Sequence, residues 1–104
     1  MNPEPRKIIE IENVLHPGKV YRVDAEKYAA MKKAFLKILP AKAPGLSAAE
    51  IIEKVKPHLP QTLFPGGATA GWWVAAVQLD QEAKGVIKRA EGRPVRLYRV
   101  ARRG

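Results

Sequence analysis

Six arginines, Arg89, Arg93, Arg96, Arg99, Arg102 and Arg103, fall within the last 16 of 104 residues, and they are the side chains best suited to a defined chemical task. A planar guanidinium offers two parallel N–H donors to a phosphate or carboxylate, so the cluster predicts an anionic partner. With Lys88 and the single acid Glu91, residues 85–104 carry +6, whereas residues 1–84 hold twelve basic and nine acidic groups, +3, for a net of +9. The plainer use of such an end is solubility.

Other reactive groups are sparse. There is no cysteine, which excludes disulfides, thiolate zinc sites and thiol catalysis. His16 and His58 each adjoin a proline, far apart in sequence, without a third metal ligand at a usable spacing. Ser47 is the only serine and a capping role accounts for it. Asp80 and Glu82, two apart on a helix, point about 200° from each other and read as solvated surface rather than an acid–base pair. The stretch Pro65-Gly66-Gly67-Ala68-Thr69-Ala70-Gly71 lacks the Gly-Lys-Ser/Thr ending of a phosphate loop. It leaves either helix N-terminal amides near Thr69 that hold one phosphate, or glycines that only permit a sharp bend. No enzyme, cofactor or metal site is expected.

The elements that must position these groups follow from capping and periodicity. Length near 100 predicts one domain, and no apolar run approaches the roughly 18 residues that span a bilayer. The start Met1-Asn2-Pro3-Glu4 lacks the features of a secretory signal, so a cytoplasmic setting without membrane association is expected. Residues 1–23 read as an N-terminal arm or short hairpin, with alternation from Ile9 and a turn at His16-Pro17-Gly18-Lys19. Residues 24–104 read as the main body. Asp24 caps helix one, which Pro40 ends, and Ser47 with Glu50 forms a capping box for helix two, which finishes near Lys56. Helix three covers residues 68–84, with Trp72, Ala76, Leu79 and Ala83 on one face and Val74, Gln78, Gln81 and Glu82 on the other. After Gly85 a hairpin is expected that pairs Ala90 with Val95, Ile87 with Tyr98 and Arg89 with Arg96, leaving Leu97 on the outer face.

The expected fold class is therefore α+β, a three-helix bundle with a C-terminal two-stranded β-ribbon and an extended N-terminal arm, which resembles the winged-helix members of the helix-turn-helix group. The strings Val23-Asp24-Ala25, Pro44-Gly45-Leu46-Ser47, Leu63-Phe64-Pro65-Gly66-Gly67 and Gly71-Trp72-Trp73 also resemble a family of small, uncharacterised bacterial proteins over most of residues 8–99. That second likeness implies a fold and carries no functional residues.

Two partners fit this reading. In the first, double-stranded DNA is bound by a regulatory module: Arg89, Arg93, Arg96 and Arg99 contact phosphates or a minor groove, amides near Thr69 hold a phosphate, and Gln78 and Gln81 face the major groove, where glutamine pairs with adenine. Helix three brings no cation outward before Lys84 and carries Glu82, so the expected affinity has little sequence preference. In the second, the same fold is a protein-interaction or assembly module whose N-terminal strand pairs with a second copy, forming a homodimer, or with a partner's sheet edge. Ile9, Ile11 and the outward Val74 and Leu97 motivate it.

Overall fold

The computed structural model describes residues 7–100. Arg102 and Arg103 lie outside the described residues. A hairpin of β1 (Ile8–Glu12) and β2 (Val20–Asp24) precedes α1 (Ala25–Ile38); a short strand β3 (Leu46–Ser47) leads into α2 (Ala48–Val55); and α3 (Ala70–Ala83) is followed by β4 (Ile87–Arg89) and β5 (Arg96–Arg99). The architecture is α+β, with β1 and β2 forming one antiparallel sheet and β3, β5 and β4 another in that order.

Local signals set the helix starts. The Asp24 carboxylate accepts from the Lys27 amide at 3.0 Å, and Ser47 and Glu50 form the reciprocal capping box at 3.3 and 2.9 Å. Thr69, with a positive φ of 62°, precedes α3, whose first turn no side chain caps, so the helix starts later than residue 68. Gly85, at φ 74°, releases the chain into the second hairpin. Gly45 is constrained differently. At its φ of 79°, an added Cβ would lie 1.8 Å from the Leu97 carbonyl oxygen, so only glycine lets β3 close on β5.

Two expectations are corrected by packing. First, β4 and β5 pair Ile87 with Arg99, Lys88 with Tyr98 and Arg89 with Leu97, one residue out of the expected register. Because strand side chains alternate, that single step exchanges the faces. Leu97 is completely buried and Tyr98 turns outward, which lets an apolar side chain rather than a phenol meet the helices.

Second, α3 is rotated relative to the expectation. Its buried positions are Ala70, Trp73, Val74, Val77, Asp80 and Gln81, a stripe of helical period, and Trp72 is 59% exposed. Trp73 packs edge-on against Phe64, ring centroids 6.3 Å apart, within one core that also holds Met31, Phe35, Ile51, Val55, Leu97 and the hairpin residues Ile11 and Val23. Val74, expected outside, belongs to that core.

The rotation puts two polar residues inside, and their partners explain why. Asp80, with no solvent exposure, accepts from the Glu12 amide at 2.9 Å, the Lys84 ammonium at 2.6 Å, the Tyr28 hydroxyl and the Gln81 amide at 3.2 Å. The same Gln81 Nε2 donates to the Tyr28 hydroxyl at 2.8 Å. An unpaired buried carboxylate would cost several kcal/mol, but four donors from β1, α1 and α3 converge on this one. Burial alone would raise the Asp80 carboxyl, yet the Glu12 amide, Lys84 and Tyr28 together hold it below the usual carboxylate value. Burial, reinforced by Asp80, pushes the Tyr28 hydroxyl far above its ordinary value. Expecting Asp80 on a solvated surface fails because its partners lie 52 and 68 residues away.

Asp80→Ala, which strands the Tyr28 hydroxyl and the Glu12 amide, is expected to cost about 3 kcal/mol in urea unfolding and to speed hydrogen exchange in β1. Since the folded carboxyl ionises below its unfolded value, its contribution is intact above pH about 4 and is lost as pH falls through the lower folded value. Wild-type stability should therefore decline there more steeply than that of Asp80→Ala. Gly45→Ala is expected to destabilise by at least about 3 kcal/mol, read as a lowered melting temperature with loss of the β3–β5 pairing.

Candidate functional site

The arginines of the second hairpin are held by the protein's own groups to different degrees. Arg89 forks onto Glu82, Nε to Oε1 at 2.6 Å and Nη2 to Oε2 at 3.3 Å, and Glu82 is nearly buried. Its hydrogen bonds to Glu82 raise the Arg89 guanidinium further above its ordinary value. Freeing that side chain would leave the nearly buried Glu82 carboxylate with Gln78 as its remaining partner, so this pair resists exchange. Arg96 meets Glu50 at 3.3 Å with both side chains over a third exposed, a solvent-screened pair that is readily exchanged. The Ser47 amide, then the Ser47 hydroxyl, with Arg96 contributing less, hold the Glu50 carboxyl below its ordinary value. Arg99 donates through Nε to the Leu39 carbonyl at 2.8 Å. Arg93, near the hairpin tip, is exposed and has no hydrogen-bond or ion-pair partner among the described residues.

The positions expected to read bases are also engaged. Gln81 is 2% exposed and tied to Tyr28 and Asp80, so it cannot reach a groove. Gln78 is half-buried and donates to Glu82 at 3.1 Å, so Gln78, Glu82 and Arg89 form one chain of contacts. Thr69 is exposed and its hydroxyl donates to the Ala68 carbonyl at 2.5 Å. Thus Arg89 and Gln78 are brought together around an acid, while Arg93, Arg96, Arg99 and Thr69 remain apart from that contact chain.

What the structure gathers instead is aromatic. The outward side of α3 carries Trp72, Ala75, Ala76 and Leu79, and the β1–β2 hairpin lies alongside it, the Val14 amide donating to the Leu79 carbonyl at 3.2 Å. Between them is an open cleft of about 410 Å³, walled on the hairpin side by Asn13, His16, Tyr21 and Arg22. Trp72 stands edge-on to Trp73 with centroids 4.9 Å apart, so its ring is braced by the core while most of it faces water. Tyr21, Val20 and Leu15 are exposed on the same hairpin. Among the described residues no acidic side chain lines the cleft. The signal in the sequence was the Trp72-Trp73 pair: neighbouring helix positions point about 100° apart, so one ring had to leave the core. The choice between them rested on Phe64, Tyr28 and Asp80, none adjacent.

Among the described residues no group of three His, Cys, Asp or Glu side chains is placed to hold a metal ion, and no helix is long and apolar enough to cross a membrane. No curated protein and no solved structure matches the chain. Residues 8–97, nearly the whole described length, match the family of unknown function DUF6958, and the chain belongs to that family.

Proposed function

We propose that this protein is a winged-helix module that docks another protein, and that the docking surface is the cleft between α3 and the N-terminal hairpin. The fold reading is supported by β3, a strand between α1 and α2 that joins β5 so that the last hairpin becomes a three-stranded sheet beside α3. The observation that carries the functional reading is the exposed Trp72 flanked by Tyr21 and Arg22. Tryptophan, tyrosine and arginine are the residues that dominate measured interface energies, because the aromatic rings cover much area at little entropic cost and Arg adds a directed charge. Helix three presents this apolar face where a groove-reading helix needs cations. The partner is a chain segment bearing a large apolar side chain for the cleft and carboxylates for Arg22, matched to a net charge of +9.

Selection from a random peptide library should enrich sequences that combine acidic and apolar residues. Trp72→Ala and Arg22→Ala should each weaken the selected peptides at least about tenfold, Trp72→Ala lowering fold stability by only about 1 kcal/mol. Enriched peptides that bind Trp72→Ala undiminished would refute the reading.

Duplex DNA remains a second reading, favoured by the exposed, unpaired Arg93 and the weakly held Arg96 on one hairpin. With these two as phosphate contacts, log affinity should fall against log salt with a slope of about −2. Glu50→Gln, which releases Arg96 while keeping an acceptor for the Ser47 amide, should then tighten binding and steepen the slope. No duplex binding at low salt, or no response to Glu50→Gln, would leave the protein-docking reading alone.

A further inference from the structure

A sheet of two strands has two outer edges, and the main-chain parity of the N-terminal hairpin fixes what each presents. The Ala25 amide donates to the Lys7 carbonyl, and the register runs on through Ile9 with Val23 and Ile11 with Tyr21. Bonded and non-bonded pairs alternate along an antiparallel ladder. The amides and carbonyls of Ile8, Glu10 and Glu12 therefore point away from β2, and those of Val20 and Arg22 point away from β1. The Glu12 amide agrees with this parity, since it leaves the ladder for Asp80. Val20 and Arg22 are both exposed, and their outward main-chain groups have no partner among the described residues. Such an open edge is a template for another strand.

The open edge of β2 also borders the cleft that contains Trp72. Tyr21, Arg22 and Val23 are consecutive and all three line it. Tyr21 and Val23 share a sheet face with the buried Ile11, whereas alternation puts Arg22 on the opposite face with Glu10 and Val20. Both faces of one strand reach a single cleft along its edge. Charge separates the two edges as well. The outward positions of β1 include the acids Glu10 and Glu12, while β2 offers Arg22 with the exposed Lys19 just before it.

We infer that the segment docked in this cleft binds extended, as a strand added to the outer edge of β2, with apolar side chains toward Trp72 alternating with carboxylates toward Arg22. This mode presupposes the docking reading and adds to it the conformation and residue pattern of the guest. An acidic strand is repelled by the β1 edge and attracted by the β2 edge. A second copy of the chain is the poorer guest, because pairing β2 with β2 about a two-fold axis would set Arg22 and Lys19 against their own duplicates.

The test compares two peptides of identical composition by ¹⁵N–¹H spectroscopy and amide hydrogen exchange on the full chain. In acetyl-Glu-Leu-Glu-Phe-Glu-Leu-Glu-amide the apolar residues share one strand face; in acetyl-Glu-Leu-Leu-Glu-Glu-Phe-Glu-amide they do not. The alternating peptide should bind at least about tenfold more tightly. It should slow exchange at the Val20 and Arg22 amides about tenfold or more, leaving Tyr21 and Val23, whose amides already face β1, nearly unchanged. N-methylating its glutamates and N-methylating its apolar residues should have opposite results, one set abolishing binding and the other sparing it. Loss at the glutamates marks antiparallel addition, and loss at the apolar residues marks parallel addition. Equal effects of the two sets, or binding that is lost in Trp72→Ala yet leaves Val20 and Arg22 unprotected, would overturn strand addition while the docking reading stands. Protection of these amides that grows with protein concentration without peptide would make the guest a second copy and overturn the acidic segment. Failure of both peptides to bind also overturns strand addition, and the docking reading then stands or falls with the library selection.

Discussion

A carboxylate without solvent contact governs how this small protein is put together. Asp80 belongs to α3, yet its oxygens are occupied by the backbone of β1 and the phenol of α1 as well as by its own helix. Those bonds fix the roll of α3 about its axis, because any rotation that exposed Asp80 would strand a tyrosine hydroxyl and a strand amide in apolar surroundings. The exposed tryptophan is the other side of that choice. With Asp80 and Gln81 turned inward, part of the apolar content of α3 has to face outward, and it does so at Trp72, Ala75, Ala76 and Leu79. The polar interior and the apolar surface therefore have one cause.

Features that depend on neighbouring residues were legible in the sequence. Asp24, the Ser47–Glu50 box, Pro40 and Gly85 mark helix ends because a cap or a backbone preference acts within a few residues. Two features that depend on distant partners were not. The β4–β5 register turns on whether Leu97 or Tyr98 meets the helices, and a period-two pattern with apolar residues at both positions does not decide it. The face of α3 was misread because a polar pair in the buried stripe mimics a solvated side unless Tyr28 is known to stand opposite.

The same distinction applies to charge. Counting arginines located a basic end correctly but could not reveal that Glu82 clasps Arg89 across seven residues, or that Glu50 meets Arg96 across 46. A cation count measures long-range attraction, whereas the grip on a phosphate depends on which guanidinium groups have open donor edges. On the second hairpin these are fewer than composition suggests, and Arg93 is the clearest of them.

The braced indole of Trp72 has a consequence for crowded solutions. An apolar ring in water invites indiscriminate sticking, but each molecule carries a surplus of nine positive charges, so two copies approaching face to face meet a colloidal barrier before their rings can touch. Under the docking reading proposed above, a partner that carries negative charge lowers this barrier, whereas a second copy of the chain raises it, the more so the lower the salt.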